Sequence, residues 1–159
     1  MLMRHGKSDW DSDAPDDHSR PLAARGFVAA ERMGEVIREL CLVPDLVVSS
    51  TATRARSTAE LARIAGGWDS RLVLDDTLYG ASVAETLAVA SKHGRDYDRI
   101  MLVGHQPTWS LTVQHLTGAR VAMRTATVAD IELLITDWTQ LPSASGSIVS
   151  LLQARQFVT

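Results

Sequence analysis

Three short apolar runs in this 159-residue chain each lead to a residue that carries, or can carry, positive charge. Leu2-Met3 leads into Arg4-His5-Gly6-Lys7-Ser8. Val48-Ser49-Ser50 leads into Thr51-Ala52-Thr53-Arg54-Ala55, and Leu102-Val103 into Gly104-His105-Gln106-Pro107. If the runs are neighbouring parallel strands, Arg4, His5, Arg54 and His105 converge at one sheet edge, where open α/β sheets hold their ligands. Like charges repel at close range, so such a cluster calls for an anion. Phosphate fits, because a guanidinium offers paired donors that match two of its oxygens. Histidine can donate to an oxygen, or attack phosphorus through a neutral ring nitrogen. Cationic neighbours favour that neutral form of His5, and a carbonyl on its other nitrogen would fix the tautomer.

The elements that must position these residues read β-α-β-α-β-α-β-α-β-β. Leu2-Met3 is a strand stub, followed by a polar loop from Lys7 to Arg20. A helix is expected from Pro21 to about Leu40, with Leu22, Val28 or Phe27, Met33, Val36, Ile37 and Leu40 at apolar positions of a 3.6 period. Asp45 to Ser49 reads as a buried strand. A helix over about 52–65 follows, stopped by Gly66-Gly67. Arg71 to Leu74 is a third strand. Ser82 and Glu85 form a capping box for a helix to His93, which Gly94 ends. Arg99 to Val103 is the clearest central strand. Pro107 opens a helix to about Leu116, stopped near Gly118, whose N–H groups could add to an anion site. Val128 to Thr136 and Ser147 to Phe157 read as strands. The expected fold is one α/β domain over 1–159: a three-layer α/β/α sandwich with a mostly parallel sheet. Only four residues precede His5, fewer than the roughly 5–6 of an ordinary strand, which suggests a native start further upstream.

Composition narrows the function classes. The chain is 45% hydrophobic and 22% charged, as in ordinary globular domains. A net charge of −3 gives no general basic character for nucleic acid or an anionic membrane. No apolar run reaches the roughly 18 residues of a membrane span, and no secretory leader is evident. Cys41 is the one cysteine, so no internal disulfide can form; its apolar neighbours predict a buried thiol, in keeping with a cytoplasmic setting.

The three motifs together resemble the signatures of the histidine phosphatase superfamily, which includes the phosphoglycerate mutases. Arg-His-Gly after the first strand, Ser-Ser-x-x-x-Arg-Ala and Gly-His-x-Pro match in order and spacing over nearly the whole chain. The short length, Ser19-Arg20-Pro21-Leu22 with Gly26, and Asp76-Thr77-Leu78-Tyr79 are similar to the small SixA-like phosphohistidine phosphatases. The resemblance implies a phosphoglycerate mutase-like fold and a hydrolase without metal or cofactor. His5 would attack phosphorus, Arg4, Arg54 and His105 would bind its oxygens, and water would hydrolyse the phosphohistidine. The substrate is expected to be phosphohistidine on a protein. The alternatives are a broad phosphomonoesterase of small esters, with Asp76 as acid, and a non-catalytic phosphate-binding module. A mutase would need a closed site to keep water from the intermediate, and the short connections speak against one.

Around this core the expectations are plainer. Arg20 and Lys7 are candidate phosphate contacts from the loop, and Ser8 and Trp10 could flank the site. Asp9, Asp11, Asp13, Asp16 and Asp17 invite a calcium reading. They fail the EF-hand pattern, because Ala14 replaces its glycine and Arg20 its bidentate glutamate. A solvated, mobile loop is expected there. His18, His93 and His115 are expected to be structural or exposed, and Trp109 to pack in the core.

Overall fold

The computed structural model describes residues 1–158 as six strands and four helices. In chain order these are β1 (Leu2–Arg4), α1 (Ala24–Glu39), β2 (Leu46–Ser49), α2 (Thr53–Gly66), β3 (Arg71–Leu74), α3 (Val83–Gly94), β4 (Ile100–Gly104), α4 (Thr108–Thr117), β5 (Thr127–Leu133) and β6 (Gly146–Gln153). The sheet order is β3-β2-β4-β1-β5-β6. The first four of these strands are mutually parallel, and β5 and β6 add an antiparallel edge.

Period-2 alternation divides the core into two layers. Leu2, Leu46, Val48, Ile100 and Leu102 face α3 and α4, where Leu87, Trp109, Val113 and Leu116 cover them. Met3, Val47, Met101 and Val103 face α1 and α2, with Met33, Ile37, Ala55, Ala59 and Ala62. This is the expected three-layer sandwich.

The α1 register departs from its apolar period in an instructive way. Leu22, Met33, Val36 and Ile37 are buried, but Phe27, Val28 and Leu40 are exposed. The buried stripe is instead built on Gly26, Ala30, Met33 and Gly34. A Cβ on Gly34 would lie 2.1 Å from the Ala62 carbonyl oxygen, so α1 and α2 meet backbone to backbone. Close helix contact selects small residues over the larger apolar ones that the period alone favours. The helix also starts at Ala24 rather than Pro21, because the Ala23 N–H bonds the Lys7 carbonyl and the Asp9 N–H the Pro21 carbonyl. That pairing ties the loop after β1 back onto the helix start. Gly26 permits it, since a Cβ there would meet the Lys7 carbonyl oxygen at 2.2 Å.

Other ends follow the sequence closely. The Ser82–Glu85 capping box is present in both directions. Gly67 and Gly118 close α2 and α4 with φ of 59° and 73°. The last two strands are shorter than expected, because Trp138–Ser143 and Ala154–Gln156 turn as 3-10 helices. Cys41 corrects its expectation. It is exposed, in the turn after α1, where its φ of 57° takes it out of the helix.

Candidate active site

The parallel strands deliver the three motifs to one sheet edge. Arg4 ends β1, and His5 follows with its N–H on the Gly104 carbonyl at 3.0 Å. His105 follows β4, and Ser50 follows β2, its N–H on the Val103 carbonyl. Arg54 sits in the first turn of α2. The Ala126 N–H bonds both the Arg4 and His5 carbonyls at 3.1 Å, which pins the His5 backbone from the antiparallel side. A cavity of about 200 Å³ lies over this edge, lined by Arg4, His5, Lys7, Ser8, Trp10, Arg20, Arg54, His105, Gln106 and Thr125. A larger cavity of about 520 Å³ opens at the opposite end of the sheet, near Met1, Arg99 and Leu133, and is lined by none of Arg4, His5, Arg54 and His105.

His5 is held in a defined orientation. Its Nδ1 lies 2.6 Å from the Gly6 carbonyl, which has only an acceptor to offer, so the proton sits on Nδ1 and Nε2 keeps its lone pair. Arg54 Nε approaches that Nε2 at 3.3 Å. The Gly6 N–H is held by Thr58 Oγ1, which itself donates to the Arg54 carbonyl, so the loop carrying His5 is tied to α2. Burial lowers the His5 pKa to about 3, with the charges of His105, Arg54 and Arg4 adding to the fall. The ring is therefore neutral at physiological pH.

His105 packs with its ring centroid 5.2 Å from that of His5, and its Nε2 meets Ser50 Oγ at 2.9 Å. Burial, then the Arg54 charge, lowers its pKa to about 4. Its Nδ1 and Arg4 Nε are buried without a protein partner. A buried polar group left unpaired costs about 1–3 kcal/mol, and two such nitrogens beside a cationic cavity suit an oxyanion. Arg4 Nη1 is braced by the Met123 carbonyl at 3.0 Å.

Asp17 is the residue that sequence reasoning missed. Its side chain is half exposed, yet its carboxylate accepts from Arg20 Nη2 at 2.5 Å, Arg54 Nη2 at 2.9 Å and the Tyr79 hydroxyl at 3.0 Å. Its backbone carbonyl accepts from Arg54 Nη1 at 2.5 Å. Both terminal nitrogens of Arg54 are thus tied, which leaves its Nε aimed at His5. The hydrogen bond from Arg20 chiefly, with those from Tyr79 and Arg54, outweighs burial and holds Asp17 well below the usual carboxylate range. Arg20 also donates to Ser8 Oγ, and its guanidinium lies 3.6 Å from the centre of the Trp10 ring. Arg20 therefore both lines the cavity and braces the loop. Ser8 is buried rather than solvated.

Asp76 is not brought to the cavity. It is exposed on a 3-10 turn, Asp76–Leu78, and does not line the site. Its neighbour Asp75 is the buried carboxylate of the pair. Burial opposes the ionisation of Asp75, but hydrogen bonds from His93 and Thr77 prevail and hold it at about 2. His93 is thereby structural, Nε2 to Asp75 at 2.8 Å, and Trp109 is fully buried with its Nε1 on the Met3 carbonyl.

Comparison with known proteins shows the family and the fold. The model of the histidine phosphatase superfamily (branch 1) matches residues 1–86. The chain belongs to the histidine phosphatase superfamily. Among curated members, an uncharacterized Mycobacterium tuberculosis protein is 39% identical over 108 residues, 68% of this chain and 65% of that protein. An uncharacterized chloroplastic protein of Arabidopsis thaliana is 28% identical over 92% of this chain and 71% of its own length. The chain thus spans about two thirds of the length of these relatives. Among superfamily structures, SixA of Nakamurella multipartitia is 29% identical with a TM-score of 0.81, covering 96% of this chain and 94% of that one. SixA complexed with tungstate has a TM-score of 0.84 at 19% identity, over 99% and 97% of the two chains. The superfamily fold is therefore shared along the whole described chain.

The buried neutral histidines also set an acid limit on stability. Unfolded, His5 and His105 take protons as pH falls through 6.5; folded, they refuse them until about 3 and 4. The unfolded state therefore binds more protons across that window, and stability falls with falling pH by about 1.4 kcal/mol per pH unit for each ring. His105→Gln is expected to lower that slope by about one proton between about pH 4.5 and 6. Urea unfolding at several pH values measures it, and an unchanged slope would contradict the burial argument.

Proposed function

We propose that the protein is a metal-independent phosphohistidine phosphatase of the cytoplasm, acting on a phosphorylated protein through a covalent phosphohistidine at His5. The observation that carries this reading is the 2.6 Å contact between His5 Nδ1 and the Gly6 carbonyl oxygen, which requires the proton on Nδ1 and frees Nε2. Nε2 attacks phosphorus while Arg4, Arg54 and His105 take the phosphoryl oxygens, and Lys7 and Arg20 add positive charge from the loop. Positioning and charge stabilisation supply most of what phosphoryl transfer needs. Water then attacks the phosphorus, and His5 departs with the P–N electron pair. It leaves as a neutral imidazole because Nδ1 already carries the proton.

That second step expels an imidazole with no acid acting on the nitrogen that departs. A substrate phosphohistidine protonated on its far nitrogen leaves in the same manner in the first step. An alkyl ester differs, because its departing oxygen needs a proton from a general acid. The carboxylate that grips the cavity arginines is Asp17, which is held ionised, and Asp76 lies exposed away from the cavity. The SixA proteins of Nakamurella multipartitia and Agrobacterium tumefaciens, themselves candidate phosphohistidine phosphatases, share this fold at 29% and 25% identity. The exposed thiol of Cys41 suits a reducing compartment. Among the described residues, no helix is long and apolar enough to cross a membrane.

The test is turnover in the presence of chelator on a phosphohistidine protein, an alkyl phosphate and an aryl phosphate. Selective release from phosphohistidine is expected. Preference for the alkyl ester would overturn the substrate assignment, and restoration of activity only by added metal would overturn the mechanism.

A further inference from the structure

Trp10 stands out among the aromatic side chains. It is 70% exposed, against 42% for Phe27 and 39% for Tyr79, yet it lines the cavity beside His5 and Arg20. A tryptophan left this open forfeits most of the burial free energy that usually places it. What places it here is Arg20, whose guanidinium stacks 3.6 Å from the ring centre. Arg20 is itself fixed by Ser8 and Asp17. One face of the indole is thus anchored on a buried cation, and the exposure leaves the rest of the ring to solvent at the rim.

From this we infer that Trp10 is a stacking platform for the leaving group, selecting substrates whose phosphorus is bonded to a planar ring. The inference rests on the proposed phosphatase reading and deepens it by naming a determinant of substrate class. The phosphoryl group must sit on the cationic floor of Arg4, Arg54 and His105, so the leaving group points outward past the rim. A flat ring directed there can lie against the indole, whereas an alkyl group gains little from it. Offset ring stacking is worth about 0.5–1.5 kcal/mol, up to roughly tenfold in affinity. An imidazole that carries a proton on its far nitrogen is also cationic before transfer, and the negative π face of an indole favours that form. The platform therefore acts in the same direction as a leaving group that supplies its own proton. No bond to Trp10 is made or broken.

The test separates ring recognition from turnover by using two non-hydrolysable probes, phenylphosphonate and methylphosphonate. Calorimetric titration of the wild type is expected to show phenylphosphonate binding up to about tenfold more tightly. In Trp10→Ala that ratio is expected to fall towards one, with the loss carried by the phenyl compound, and Trp10→Phe is expected to restore most of it. A ratio unaltered in Trp10→Ala would overturn the platform. So would a parallel weakening of both probes, which would mean that Trp10 only braces Arg20. Turnover of a phosphohistidine peptide tests the parent reading separately. A wild type that selects the phenyl probe but leaves phosphohistidine intact would remove the proposed substrate while the ring site stands.

Discussion

His5→Ala is expected to lose turnover by a factor on the order of 10⁴ or more while still binding tungstate or vanadate. The asymmetry follows from the site's division of labour. The proposed oxyanion partners, Arg4, Arg54 and His105, sit on β1, on α2 and just after β4, and each has its own bracing. Removing the imidazole takes away the attacking nitrogen but leaves those donors in place. It also removes the acceptor that Arg54 Nε faces at 3.3 Å, which leaves that donor free for an oxygen. Stopped turnovers of wild type should hold phosphate on His5, which mass spectrometry can locate after an alkaline quench. Undiminished activity in His5→Ala, or a label on another residue, would remove His5 from the mechanism.

Asp17→Asn should cost one to two orders of magnitude in kcat, with a smaller change in KM. The carboxylate accepts from Arg20, Arg54 and Tyr79 at once, and an amide cannot present two acceptor oxygens to those donors. Arg54 then loses the fork that aims its Nε at His5, and misplacement by about 1 Å can cost about 10²-fold. The acid limb of kcat/KM should also move to higher pH. Arg54 is one of the charges that lower the His5 pKa, so a displaced Arg54 lets that pKa rise. Asp17→Glu should recover part of the rate. A variant that loses activity only in proportion to its folded fraction, with the pH profile in place, would reduce Asp17 to a structural role.

The sheet edge was legible because each reactive residue closely follows an apolar strand, and parallel strands bring those ends together. Arg4, His5, Arg54 and His105 needed only that logic. Asp17 was hidden among five aspartates of one loop that composition cannot tell apart. What singles it out is Arg54, 37 positions away, which approaches only once α2 is packed. The same limit applies to Asp75 and Asp76, since adjacent residues in a turn face different surroundings and only the fold says which is buried. Phe27 and Val28 fit the helical period, but the close approach of α2 gave the buried face to glycine and alanine. Cys41 looked buried from its apolar neighbours, and a left-handed backbone at the helix end turned it outward.

Trp10 and Asp17 lie on the same loop, which runs from Lys7 to Arg20 and is stitched to the start of α1. His5, by contrast, directly follows the central strand β1, with its backbone held by Gly104 at the end of β4 and by Ala126 just before β5. The rim residue and the clamp on Arg54 are therefore carried by one contiguous segment. Recombination that exchanged it would bring a new rim for the substrate and a new clamp for Arg54 in a single step, so taste and tempo would change together.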